Sequence, residues 1–344
     1  MRGVRRLAGF LAAAVLVTGC GLFGDDGDGS GTAPERTSLA ALLNFVPDTA
    51  VNRGHVIFYV DAAAVRAGTT SASGADDLQL LLDRSSNSIF MPTNVRDGIL
   101  KPEWYGYAGF DSRNIDAAIE FGALPEDVEV LVGDFDVPSL ESALRTSPGG
   151  DALASDDVNG TTYLSLGEGE GLSFDNVSAI RRVGQPLIWG VGDGSLVWAR
   201  SRNGVDNAVV ASGNSSGTLA QNEQYRSIAD VLDQQQVAHA ALVTGEATMR
   251  WQVAGMGETF TEGGGSTLVV VMSFGTDTAA AEAVDAFRAH IQNDTSSAVG
   301  SPWASTLTIQ DVHADGRLVI ATMTSTDAGI AMSVAIREDN LLAF

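Results

Sequence analysis

The 344-residue chain carries 43 acidic and 20 basic side chains, a formal net charge of −23, with 18% charged and 44% hydrophobic residues. That acidity excludes nucleic acid as a partner, since phosphates are met by Lys and Arg, and it holds a folded face away from anionic lipid headgroups. The hydrophobic share excludes a globally disordered chain. A single cysteine, Cys20, excludes internal disulfides, cysteine-ligated metal and a second thiol nucleophile.

Residues 1–6 include Arg2, Arg5 and Arg6 and no acidic group, and an apolar run follows from Leu7 to Val17. At about 1.5 Å per residue this run is too short to cross a hydrocarbon core ~30 Å thick. The charged start, short apolar run and small residues make a secretory signal peptide. The run ends Val17-Thr18-Gly19-Cys20, an aliphatic residue, two small ones and a cysteine. This resembles the lipobox of bacterial lipoproteins. The resemblance implies cleavage before Cys20 and acylation of its thiol, so that lipid anchors the mature chain at the extracytoplasmic face of the cell membrane. Two or three acyl chains, at about 0.8 kcal/mol per buried CH₂, hold firmly where one holds marginally. Loss of residues 1–19 removes three arginines and takes the charge from −23 to −26.

Residues 20–38, rich in Gly, Asp and Ser, bury too little apolar surface to offset the entropy of ordering and are expected to form a flexible tether. Folded sequence begins at Leu39 with a short helix. Segments 55–68 and 237–251 each suggest a strand followed by a helix. Segments 128–147 and 267–291 repeat the theme as strand, turn and amphipathic helix, with Phe135 matching Phe274 and Pro138 at a helix start. Asp193-Gly194 and Asp315-Gly316 each predict a two-residue hairpin turn. The first turn sets Trp189 across from Trp198; the second sets His313 across from Leu318. Helices are expected over 203–212, 215–232 and 327–338, and a glycine hinge over 262–266. The expected fold is α+β, internally duplicated strand-helix units with mainly antiparallel sheets and hairpins. Residues 39–235 form the first repeat, with insertions, and 236–344 the second.

Four further stretches are Pro47-Asp48-Thr49, Asn159-Gly160-Thr161-Thr162-Tyr163, Asp193 to Val197, and Leu219-Ala220-Gln221-Asn222 with Tyr225. Together they resemble a group of uncharacterised bacterial envelope proteins over much of 45–245, which implies fold and location but no activity.

Motifs that carry chemistry are sparse. His55, His239, His290 and His313 are far apart, and none has a second His or Cys at ligand spacing, so no metal is expected. The one GxSxG match, 213–217, sits in a polar Ser/Gly run where a nucleophile elbow needs a strand and a helix. Gly167-x-Gly169-x-Gly171 and Gly190-x-Gly192-x-Gly194 lack the spacing of a dinucleotide loop. The acidic pairs Asp156-Asp157 and Glu126-Asp127 suit solvated loops. No catalytic residue and no cofactor is expected. The aromatic residues remain: Trp189 and Trp198 across a hairpin, and Trp104 with Tyr107 in "KPEWYGYAGF", whose alternation suggests a strand. They suit core packing first, with the floor of an apolar groove for a lipid or glycan as the alternative. The composition therefore suggests a non-catalytic interaction or scaffold module with an envelope protein as partner. The alternatives are a carrier of a lipid or other apolar ligand, marked by an apolar cavity above ~300 Å³, and an envelope hydrolase, marked by perturbed carboxylates converging in a cleft.

Overall fold

Twelve strands hydrogen-bond side by side in one antiparallel sheet, in the order β11-β12-β10-β9-β8-β1-β2-β3-β7-β6-β5-β4. They are β1 Ile57–Asp61, β2 Ile115–Phe121, β3 Val128–Gly133, β4 Ala154–Val158, β5 Thr161–Leu166, β6 Leu187–Gly192, β7 Ser195–Ala199, β8 His239–Thr244, β9 Val253–Phe260, β10 Ser266–Ser273, β11 Leu307–Asp315 and β12 Leu318–Ser325. The computed structural model describes residues 37–68, 91–169, 171–214, 216–246, 249–260, 266–297, 300–325 and 341–344. Cys20 with most of the tether, the glycines of 262–265 and the helix expected over 327–338 lie outside the described residues. Arg36–Phe344 is one compact unit.

The described helices are α1 Leu39–Leu42, α2 Ala50–Arg53, α3 Ala62–Gly68, α4 Thr93–Ile99, α5 Trp104–Ala108, α6 Val137–Thr146, α7 Arg202–Gly213, α8 Glu223–Gln234 and α9 Asp277–Asn293. Short polar side chains start them: Asp136 accepts from Ser139 N at α6, Ser201 from Gly204 N at α7 and Thr276 from Ala279 N at α9. Each satisfies a backbone N–H that the first helical turn leaves open.

Both faces of the sheet are covered, which is why β3 (VEVLVG) and β10 (STLVVVMS) read as near-continuous apolar runs. One face carries a single core running from β5 to β12, where Tyr59, Val130, Val197, Leu242 and Val269 meet α1, α7 and α8. The opposite face carries two cores. In one, Leu131, Leu164, Trp189 and Trp198 pack under α4, α5 and α6. In the other, Met256, Leu268, Val270 and Met323 pack under Phe287 and Ile291 of α9.

The strand order repeats about the β1–β8 seam, where Tyr59 pairs with Ala240. On one side it runs β1-β2-β3-β7-β6, on the other β8-β9-β10-β12-β11. The sheet is continuous across the junction at 235/236. With Phe135 set against Phe274, Val130 matches Val269. Their cross-strand partners are Val197 and Thr322, so Trp198 corresponds to Met323.

The structure changes three expectations. The sheet is antiparallel as expected, but β2 and β9 are strands that the sequence did not single out, and no helix follows β8 before β9 among the described residues. Trp104 to Tyr107 are helical in α5: alternation over three aromatic residues is too short a pattern to separate a period of 2 from one of 3.6. The second hairpin turns one residue later than Asp315-Gly316, pairing Asp315 with Leu318 and His313 with Ile320. Ile320, matched to Trp198 by counting from the two Asp-Gly pairs, therefore sits one residue nearer its turn than Trp198 does. Successive strand side chains face opposite ways, and Ile320 lies in the opposite core from Trp198.

Candidate functional site

The Asp193-Gly194 turn has φ of 42° and 71° at its two central residues, as a type I′ turn requires, and sets Trp189 opposite Trp198. The indoles meet edge to face at 5.3 Å, and Trp104 stacks on Trp198 at 6.2 Å. Phe110 closes the group edge-on to Trp104, whose indole N–H donates to the Phe110 carbonyl at 2.8 Å. Trp104, Trp189 and Trp198 are buried, and Tyr107 is half-buried against the same core. The aromatic residues singled out by sequence thus converge, as packing. The indole N–H groups of Trp189 and Trp198 have no hydrogen-bond partner among the described residues.

Beside them lies a group that sequence reasoning passed over. Glu129 of β3 pairs across the sheet with Trp198 on one side and Glu120 of β2 on the other, and Asp127 precedes it by two residues. All three carboxylates can bring an oxygen within 4.8 Å of the others. The start of α4 sits over them. Thr93 N and Oγ1 donate to Glu120 at 3.0 and 2.9 Å, and Asn94 N donates to Glu129 Oε1 at 2.6 Å. Arg200 Nε stands 3.6 Å from Asp127 Oδ1. Glu129 is 0% exposed, and its Oε2 has no hydrogen-bond partner among the described residues. Burial, then the Glu120 charge, pushes the Glu129 carboxyl well above the ordinary range; burial also raises Glu120, against the opposing hydrogen bonds from Thr93. The Glu126-Asp127 pair is therefore divided: Glu126 is exposed, while Asp127 is buried.

The second half holds a contrasting row. By register Glu258 of β9 corresponds to Glu120, His239 to Phe58, and Leu268 to Glu129. Glu258 is fully buried, 3.3 Å from His239 Nε2, and accepts from Ser266 Oγ at 2.8 Å. His239 also stacks on Phe260 at 5.7 Å. His55, matched to His239 by sequence, lines instead a cavity of about 150 Å³ with Val243, Met249, Trp251, Met256 and Leu342. His313 is exposed and pairs with Asp311 at 2.7 Å.

One end of the sheet gathers exposed apolar side chains. The β2–β3 turn presents Leu124, 72% exposed, and the β5–β6 loop presents Leu172 and Phe174, 57% and 77% exposed, with Val177 and Val183. The registers of β2, β3, β7, β6 and β5 put both connections at the same end. The loop is held by its neck: Ser173 N donates to Gly184 O at 2.9 Å, and buried Arg181 donates to Gln185 O at 2.8 Å.

No family model matches this chain, and no curated protein does. Among solved structures, crystal form IV of TP0453 is similar at 9% identity and a TM-score of 0.36, covering 88% of this chain and 97% of that one. Likeness at this level assigns no function.

Proposed function

We propose that the chain is a lipid-anchored, non-catalytic interaction module, tethered through acylated Cys20 at the extracytoplasmic face of the membrane and engaging an envelope protein. The supporting observation is the end of the sheet bearing Leu124, Leu172 and Phe174. Single exposed apolar residues are ordinary, but several gathered on a loop fixed by its own hydrogen bonds present a surface that water does not favour. The carrier reading has less support. The cavity beside His55, at about 150 Å³, is half the ~300 Å³ at which small-molecule sites begin. A hydrolase needs its carboxylates in a cleft, whereas Glu129 has no exposed surface beneath α4.

A photo-crosslinking residue at position 174 in cells should give one discrete protein adduct in the membrane fraction, absent when the same residue replaces exposed Thr308. In a Cys20→Ala chain the protein should leave that fraction and the adduct should disappear. Unchanged fractionation of Cys20→Ala would remove the anchor from this reading. Native mass spectrometry of the detergent-solubilised chain that found a retained apolar ligand, with no protein adduct in cells, would replace the module with a carrier.

A further inference from the structure

The buried carboxylates need a positive partner. Glu120, Asp127 and Glu129 together carry three formal negative charges when ionised, and among the described residues Arg200 alone is ion-paired to them, at Asp127. The next nearest cation, Arg96, acts on Glu120 but is ion-paired to Asp97 at 3.2 Å. The α4 N-terminus satisfies Glu120 and one oxygen of Glu129. Val95 N–H also acts on the Glu129 carboxyl, yet Glu129 Oε2, wholly buried, makes no hydrogen bond among the described residues. Burying an unpaired carboxylate oxygen costs several kcal/mol.

The position itself does not call for a charge. In the other half of the sheet the corresponding residue is Leu268, also fully buried under a helix. There the corresponding glutamate, Glu258, has His239 Nε2 3.3 Å from its Oε2 and accepts from Ser266 Oγ on Oε1. A carboxylate in a leucine's place, set across from a second carboxylate and two residues from a third, concentrates more oxygen ligands than the α4 N–H groups occupy.

We propose that Glu120, Asp127 and Glu129 form a binding site for one calcium ion. Three oxygens no more than 4.8 Å apart share a point within about 2.8 Å of each, close to the 2.3–2.6 Å of calcium–oxygen bonds. Magnesium, at 2.0–2.1 Å and in strict octahedral geometry, would need a larger collapse of strands that the β2–β3 pairing holds apart. Hard carboxylate oxygens without nitrogen or sulfur suit calcium rather than zinc or copper. Glu120, the least buried of the three, gives the ion its route in. This inference does not depend on the proposed interaction role.

The test uses the full chain in detergent, stripped with a chelator and titrated with calcium chloride, followed by calorimetry and thermal unfolding. The expected result is one ion per chain and a saturable rise in Tm. Glu129→Gln keeps an oxygen for Asn94 N–H and removes the charge; it should weaken binding by about tenfold or more, since ligand charge sets calcium affinity. Glu120→Gln, nearer the surface, should do the same and keeps the test open if the first variant fails to fold. Wild type with no saturable shift would overturn the proposal, as would both variants binding like wild type, which would place the ion elsewhere on the acidic surface. Magnesium binding in preference to calcium would overturn it as well.

Discussion

Replacing Trp198 with alanine tests how the aromatic core is held. Trp198 is 1% exposed and touches two other indoles, at 5.3 and 6.2 Å. Truncating a buried tryptophan to alanine costs about 3–5 kcal/mol, because contacts are lost and the cavity collapses only in part. Each aromatic pair adds ~0.5–1.5 kcal/mol beyond the area buried. One effect opposes these: the Trp198 indole N–H has no acceptor, and removing an unsatisfied buried donor returns roughly 1–3 kcal/mol. Trp198→Ala should therefore fall near 3 kcal/mol, toward the low end of the range. Trp198→Phe removes the same N–H but keeps a ring in the pocket, and should cost less than about 1.5 kcal/mol. Urea unfolding followed by far-UV circular dichroism measures both, with the midpoint shifting and the slope unchanged. An alanine variant as stable as wild type would refute this packing account and point to a surface that a ligand covers. A phenylalanine variant as damaged as the alanine one would show that the indole N–H is satisfied after all.

Gly98→Ala should destabilise by about 1–3 kcal/mol, because an added Cβ would lie 2.3 Å from the Trp104 ring and 2.5 Å from Ala179 O; thermal unfolding checks it, and an unchanged Tm would show that α4 is free to shift. In chelator, wild type should lose stability as pH rises above about 4.5, the ordinary carboxyl value. A carboxyl raised in the native state holds its proton more tightly there than in the unfolded chain. Its contribution is therefore full below the unfolded pKa and is lost as pH passes through the native one. Glu129→Gln should lack that part of the slope, and parallel urea midpoints for the two proteins from pH 4 to 8 would refute the assignment.

Much of the fold was legible in the chain because its signals are local. The Asp193-Gly194 turn fixed a register, and with it the Trp189–Trp198 pair, since only φ above zero at both residues closes that turn. Pro138 and Asp136 marked the start of α6, and the matching of Phe135 with Phe274 agrees with the repeated strand order. The resemblance of Val17-Thr18-Gly19-Cys20 to a lipobox likewise rests on a contiguous pattern, which needs no fold to be noticed. By contrast, β2 and β9 carry Ala, Gly and Glu among their apolar residues and give weak strand signals. Their place is decided by neighbours on both sides. The one-residue shift of the second hairpin, which separates Ile320 from Trp198, is likewise invisible without the paired strand.

The carboxylate cluster shows the same division most plainly. In sequence, Glu120, Asp127 and Glu129 are three of 43 acidic residues, in a composition where acidity means solubility. Only the pairing of β2 with β3 sets two of them face to face, and only α4, arriving from a distant stretch of chain, buries them and leaves one oxygen of Glu129 without a partner. Local pattern determined the Asp193-Gly194 turn and the start of α6, and raised the expectation of a lipid at Cys20. Burial determined which of its charges matter, because a carboxylate's chemistry depends on what surrounds it, and those surroundings are assembled from residues far apart in the chain.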